Sequence, residues 1–149
     1  MRITLLRAPA EPDYKADRGE HDFVYSLYPH AGTWAEGGTV KAGFGLNVPA
    51  DLCEEASKED KVPASFVAVE HSGVVLDTFK KAENGDGYIL RLYEACGSGG
   101  KATIRFAKPI TALSTCDMME QGDAPATFDA DSFSFETSPY CIHTYRVRF

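Results

Sequence analysis

No apolar run in this sequence reaches the roughly 18 residues that a membrane-spanning helix needs, so no membrane partner is expected. The opening residues, MRITLLRAPAEPD, set arginines inside a short apolar run and turn acidic at once. The long apolar centre of a secretion signal is missing, and cytoplasmic retention is the expectation. Positive charge is scarce. Fifteen Lys and Arg stand against 22 Asp and Glu, for a net charge of −7, and the largest basic cluster is Lys80-Lys81. A nucleic acid would be repelled, so it is not an expected partner. The four cysteines (Cys53, Cys96, Cys116, Cys141) lie far apart, with no C-x-x-C and no histidine at ligand spacing. That argues against a zinc site and for free, mostly buried thiols in a reducing compartment. The nucleophile motif G-x-S-x-G and a glycine-rich phosphate loop before a helix are also missing. Carboxylates are so plentiful that searching for the acid pair of a glycosidase discriminates nothing.

What is present reads as β structure. The chain has 149 residues, 44% of them apolar and 25% charged, and these values predict one ordinary globular domain spanning residues 1–149. The clearest stretch is GVVLDTFKKAENGDGYILRLYEA, Gly73 to Ala95. Apolar, β-branched and aromatic runs, Val74–Phe79 and Tyr88–Tyr93, flank Asn84-Gly85-Asp86-Gly87, whose glycines supply the positive φ that tight hairpin turns need. Further strands are expected at Arg2–Arg7, His21–Tyr28, Ser65–Glu70, Ala102–Phe106, Ile110–Thr115, Phe128–Phe135 and Tyr140–Phe149, with GSGG and QGDAP as turns. Thr33 to Val48 fits a short helix, with Thr33 and Glu36 as a capping box, or an irregular crossover. The charged stretch Asp51–Lys61 reads as a solvated excursion. The fold class is therefore mainly β: an antiparallel β-sandwich with a short helical or irregular crossover.

Three constellations could carry chemistry. His21, Asp22 and His30 could hold a metal or serve as acid and base, but adjacent strand residues leave on opposite faces, so hydrogen bonding near a loop competes with that role. The acidic turn Glu83–Gly87 lacks the twelve-residue pattern of an EF-hand, and turn chemistry alone explains it. Asp77, Lys80, Lys81, Arg91 and Glu94 read as the wet side of a half-covered sheet. With Asn84 opposite Gly87, however, Lys80 would face Arg91 and Asp77 would face Glu94. Like charges in register are unfavourable, so either the turn sits elsewhere or diagonal pairs compensate.

Three stretches together carry a resemblance: RITLLRAPAEPDYKADRGEHDFVYSLYPHAGTW, VVLDTFKKAENGDGYILRLYEACG and the terminal IHTYRVRF, with LNVP, SFVAVE and CDMMEQ between them in order. The sequence resembles the C-terminal region of family 38 α-mannosidases, of the cytosolic and bacterial type, over nearly its whole length. Gly43-Phe44-Gly45 and Ser138-Pro139-Tyr140-Cys141 depart from the family's usual pattern. The resemblance implies a β-sandwich domain that packs on an N-terminal catalytic domain, which this chain lacks. It also implies that the whole enzyme uses a divalent metal, usually zinc, with ligands and nucleophile outside this chain. No catalytic residue, cofactor or metal ligand is therefore assigned here, and the chain alone is expected to be inactive. Loop residues that could reach the rim of the mannose site are His30, Asn84 and Asp86; Arg91 is the next candidate, with a structural ion pair as its competing role. The rival readings are a free-standing carbohydrate-binding module, with Trp34, Tyr88 and Tyr93 as its aromatic platform, and a protein-interaction domain. A severed domain could also dimerise through the apolar patch its partner leaves bare.

Overall fold

The computed structural model describes residues 2–9, 11–51 and 65–149 and divides into two compact units, residues 1–30 and 31–149. In the first unit, no described residue lies in a helix or strand. The strands expected at Arg2–Arg7 and His21–Tyr28 are thus not formed among the described residues. Alternation prepares a segment for a sheet, but a strand exists only where a neighbouring backbone completes its hydrogen bonds. The turn between the segments is local: Asp13 Oδ1 accepts from the Lys15 amide at 2.9 Å, and the Asp17 carbonyl meets His21 Nε2 at 2.8 Å.

The second unit begins with a turn built on the expected capping box. The Thr33 amide and hydroxyl both donate to Glu36 Oε2, at 2.7 and 2.9 Å, and the Glu36 amide returns a bond to Thr33 Oγ1 at 3.3 Å. The α-helix itself, α1 (Thr39–Asn47), starts later, behind Gly38 in the left-handed region. The expected excursion from residue 52 onward lies outside the described residues, and so does Cys53.

Eight strands follow among the described residues: β1 (Val67–Glu70), β2 (Val74–Lys81), β3 (Tyr88–Glu94), β4 (Gly100–Phe106), β5 (Ala112–Thr115), β6 (Ala124–Pro125), β7 (Ser132–Thr137) and β8 (Ile142–Arg148). They form two antiparallel sheets, one ordered β1-β4-β7 and one ordered β2-β3-β8-β5-β6. The expected β-sandwich is present, and the helix realises the helical form of the crossover. The strand expected from Phe128 starts at Ser132 instead, and part of the expected turn QGDAP pairs with β5 as β6.

The two sheets share one core. Leu90, Leu92, Tyr145 and Val147 from the larger sheet meet Ala102, Ile104, Phe106 and Phe133 from the smaller one. Ladder partners show how each side chain reaches its face. Leu76 pairs with Leu92 and Val74 with Glu94, but Phe79 pairs with Leu90, because the register shifts between Leu76 and Thr78. Such a bulge adds one residue to β2, and so Val74, Leu76 and Phe79 all face the core despite their uneven spacing. The shift also corrects the charge register expected from the sequence. Lys80 lies opposite Ile89 and Arg91 opposite Thr78, so the like-charge pairs do not arise. The hairpin loop is longer than a two-residue turn: the Ala82 amide donates to the Gly87 carbonyl at 3.0 Å and closes a loop over residues 83–86.

The central strand β8 is buried from Thr144 to Val147 although its residues alternate in direction. Tyr145 and Val147 face the core. Thr144 and Arg146 face the other side of the larger sheet, where loops cover them.

An interlocked loop cluster on the outer face

The outer face of the larger sheet carries a row of cross-strand neighbours, Lys80, Ile89, Arg146 and Ser114. Arg146 is 1% exposed. A guanidinium has five N–H donors and cannot shed its charge, so its burial demands a full set of acceptors. The structure supplies them from two loops. Arg146 Nη1 donates to Asn84 Oδ1 and to the Asp86 carbonyl, both at 3.0 Å, in the hairpin tip. Its Nη2 donates to the Glu120 carbonyl at 2.7 Å and its Nε to Asp123 Oδ1 at 2.9 Å, in the β5–β6 loop. Ser114 Oγ donates to the same Asp123 oxygen at 3.1 Å. One buried cation thus ties two loops to the middle strand.

Further ion pairs surround it. Arg148 grips Asp86 through Nε at 2.7 Å and Nη2 at 2.6 Å. Lys80 bridges Glu83 and Glu120, the second at 2.7 Å, and the Glu83 amide donates to Glu120 Oε2 at 2.8 Å. Arg91 Nη2 donates to the Met118 carbonyl at 3.0 Å. The partners set the titrations: Arg148 holds the Asp86 carboxyl below its usual range, Arg146 does the same for Asp123, and Lys80 for Glu120. The β5–β6 loop also braces itself, with Asp117 Oδ1 accepting from the Met119 and Gln121 amides at 2.8 Å each. Glu120 adopts φ 62°, a left-handed conformation that a non-glycine residue keeps only when its surroundings hold it there. At the tip of this braced loop Met118 and Met119 are 56% and 75% exposed.

Of the residues singled out from the sequence, Asn84 and Asp86 come together on Arg146, and Arg91 meets the same β5–β6 loop through the Met118 carbonyl. His30 lies in the first unit, with its ring 5.8 Å from that of Tyr28. Trp34, Tyr88 and Tyr93 do not form one platform. Tyr88 and Tyr93 are five positions apart in β3 and leave on opposite faces. Tyr88 stacks on Phe79 at 5.4 Å within an aromatic cluster, whereas Trp34 lines a separate cavity of about 160 Å³ with Lys41, Val75 and Cys96. Cys96, Cys116 and Cys141 are free and half-buried, more open than expected. Among the described residues no three His, Cys, Asp or Glu side chains converge where a metal could sit, so they do not fit the divalent metal implied for the whole enzyme.

At two residues alternation misleads. Arg146 alternates within β8 between Tyr145 and Val147, which is how an ordinary wet-side residue looks. Glu94 was expected on the wet side and is instead 1% exposed, a correction with a clear cause. It follows Leu92 by two positions, so its side chain leaves on the core side, at the end of the sandwich. There the Cys96 and Gly97 amides reach its carboxylate at 2.8 Å, the Tyr140 amide at 3.0 Å and Ser98 Oγ at 3.1 Å. Burial pushes the Glu94 carboxyl up, but the amide donors together outweigh it and bring the group down to about 2.

Comparison with known proteins agrees with the resemblance. The glycosyl hydrolases family 38 C-terminal beta sandwich domain matches residues 73–145. Alpha-mannosidase 2C1 of Mus musculus is 36% identical over 126 residues, which is 83% of this chain and 12% of that protein. Alpha-mannosidase G of Dictyostelium discoideum is 28% identical over 97% of the chain and 14% of its own length. An alpha-mannosidase of Saccharomyces cerevisiae is 23% identical over 99% of the chain and 15% of its own length. The chain thus spans only 12–15% of the length of these relatives. No helix among the described residues is long and apolar enough to cross a membrane.

Proposed function

Residues 73–145 belong to the C-terminal β-sandwich domains of glycosyl hydrolase family 38, and on that premise we propose that the chain serves an α-mannosidase as its non-catalytic C-terminal domain. In this reading residues 1–149 act as one piece. They flank and complete a catalytic portion that hydrolyses terminal α-D-mannose with a divalent metal, in the cytoplasm. Alignment of the D. discoideum and yeast relatives over 97% and 99% of the chain supports treating it as one piece.

The observation that carries the finer part of the proposal is the Arg146 network. It fixes two loops on one face, so that whatever they present is presented rigidly. At the hairpin tip the Asp86 carboxylate is 52% exposed and kept ionised by Arg148. Carboxylates and amides are natural acceptors and donors for sugar hydroxyls. Asn84, Asp86 and Arg91, with His30 from the first unit, are the residues proposed to lie at the rim of the mannose site.

The test is hydrolysis of an aryl α-mannoside in Zn²⁺ or Co²⁺, by this chain alone, by the matching catalytic portion alone, and by the two mixed. Activity on mixing, with none from this chain alone, supports the reading. Turnover by this chain by itself overturns it. Asp86→Ala in the complete enzyme is expected to raise KM if the rim assignment holds, and an unchanged KM removes Asp86 from the rim.

A further inference from the structure

Residues 2–7 and 21–28 have the composition of two strands and the structure of none. Ile3 and Leu5 alternate with Arg2 and Thr4, and Tyr25 and Leu27 alternate with Val24 and Ser26. A period of two is the signature of a segment that lays one face on an apolar layer. Yet neither segment belongs to either sheet, and Ile3, Leu5, Tyr25 and Leu27 are 54%, 48%, 67% and 72% exposed. The same four side chains, with Ser26, line one open cleft of about 390 Å³, so the two segments present their apolar faces to a common space.

The occupant of that space must supply both an apolar surface and a backbone ladder. Residues 52–64 are a poor candidate, because six of these 13 residues are charged (Glu54, Glu55, Lys58, Glu59, Asp60, Lys61) and no apolar alternation runs through them. A second copy brings another net charge of −7 against the first. The relatives offer a third source. Their alignments take in nearly all of this chain yet cover at most 15% of their own lengths, so these segments sit inside polypeptides several times longer.

We propose that residues 2–7 and 21–28 become β-strands by pairing with the part of the mannosidase polypeptide that lies outside this chain, and that Ile3, Leu5, Tyr25 and Leu27 are buried against it. The proposal rests on the functional reading above for the identity of the partner. It makes strand addition, rather than contact between finished surfaces, the way the two parts are joined. The main-chain bonds supply the strength of the junction, and the alternating side chains set its register.

Amide hydrogen exchange read by mass spectrometry tests it, on this chain alone and on the chain joined to the remainder of the mannosidase. Peptides covering residues 2–9 and 21–28 are expected to exchange on the order of 100-fold more slowly in the joined protein, the behaviour of ladder amides against open ones. Equal, fast exchange in both samples overturns the proposal. So does slow exchange in the isolated chain, which would place the ladder within it, or protection of the isolated chain that disappears on dilution, which would assign it to a second copy. Hydrolysis of an aryl α-mannoside is measured on the same joined sample. Protection without hydrolysis overturns the functional reading and leaves the pairing standing, whereas hydrolysis with fast exchange overturns the pairing alone.

Discussion

Replacing Glu94 by glutamine is expected to cost the fold about 3 kcal/mol at neutral pH, and the figure follows from how the carboxylate is bound. A glutamate carboxyl that titrates near 4.5 when free and at about 2 in the fold favours its ionised form by roughly 1.4 kcal/mol for each of those pH units. The folded value is the lower one. Stability from this group is therefore fully present above pH 4.5 and is lost as pH falls toward 2. Glutamine keeps the shape but removes the charge and turns an NH₂ toward backbone amides that are themselves donors, leaving donors buried without acceptors. The four donors come from the β3–β4 and β7–β8 connections, so both turns should loosen together. Urea unfolding of the parent and Glu94→Gln at pH 7, 4.5 and 3 reads this directly. The gap between them should be largest at pH 7 and shrink through the acid range. Taking the difference removes the contribution of Asp86, Asp123 and Glu120, whose titrations are also lowered. A gap below about 1 kcal/mol at pH 7, or one that does not change with pH, would refute the reasoning.

Arg146→Met should destabilise the chain by about 3–5 kcal/mol in urea unfolding, because it strips a buried cation from acceptors arranged around it. Arg146→Lys should recover only part of that loss, since one ammonium cannot reach acceptors in both loops at once, and limited proteolysis should then cut the β5–β6 loop first. Gly87→Ala combines a left-handed φ of 80° with a Cβ that would stand 2.6 Å from the Val147 carbonyl oxygen. It should lower stability by more than about 1 kcal/mol, seen as a reduced melting temperature.

The hairpin was legible because both of its strands alternate and its turn is marked by two Asx-Gly pairs. Its register was not, because the bulge after Leu76 inserts a residue that no local pattern announces. The same limit hid the two most deeply buried charges among the described residues. Whether Arg146 meets water depends on Asn84, 62 residues away, and on Asp123 in another loop. For Glu94 the deciding group includes Tyr140, 46 residues away. Alternation predicts the direction a side chain takes and says nothing of what a distant loop lays over it. At Arg2–Arg7 and His21–Tyr28 the limit ran the other way, since alternation predicted strands that no neighbouring backbone among the described residues completes. The pairing of Asn84 and Asp86 was accessible as a hairpin-tip grouping, but not the Arg146 cation that gathers them, nor the β5–β6 loop that Arg91 reaches from β3.

The position of β8 in the middle of its sheet constrains how the domain is made. Its neighbours β3 and β5 come earlier in the chain, yet neither can close on the other until the residues between 142 and 148 have been synthesised. Until β8 is present, the β2–β3 hairpin has one long edge open. A product that stops short of those seven residues loses the shared centre of the larger sheet and the cation that anchors both of its loops. Such a product would expose the β3 edge and be a substrate for chaperones and proteases rather than a weakened domain. Closure of the larger sheet thus requires residues 142–148 to be in place.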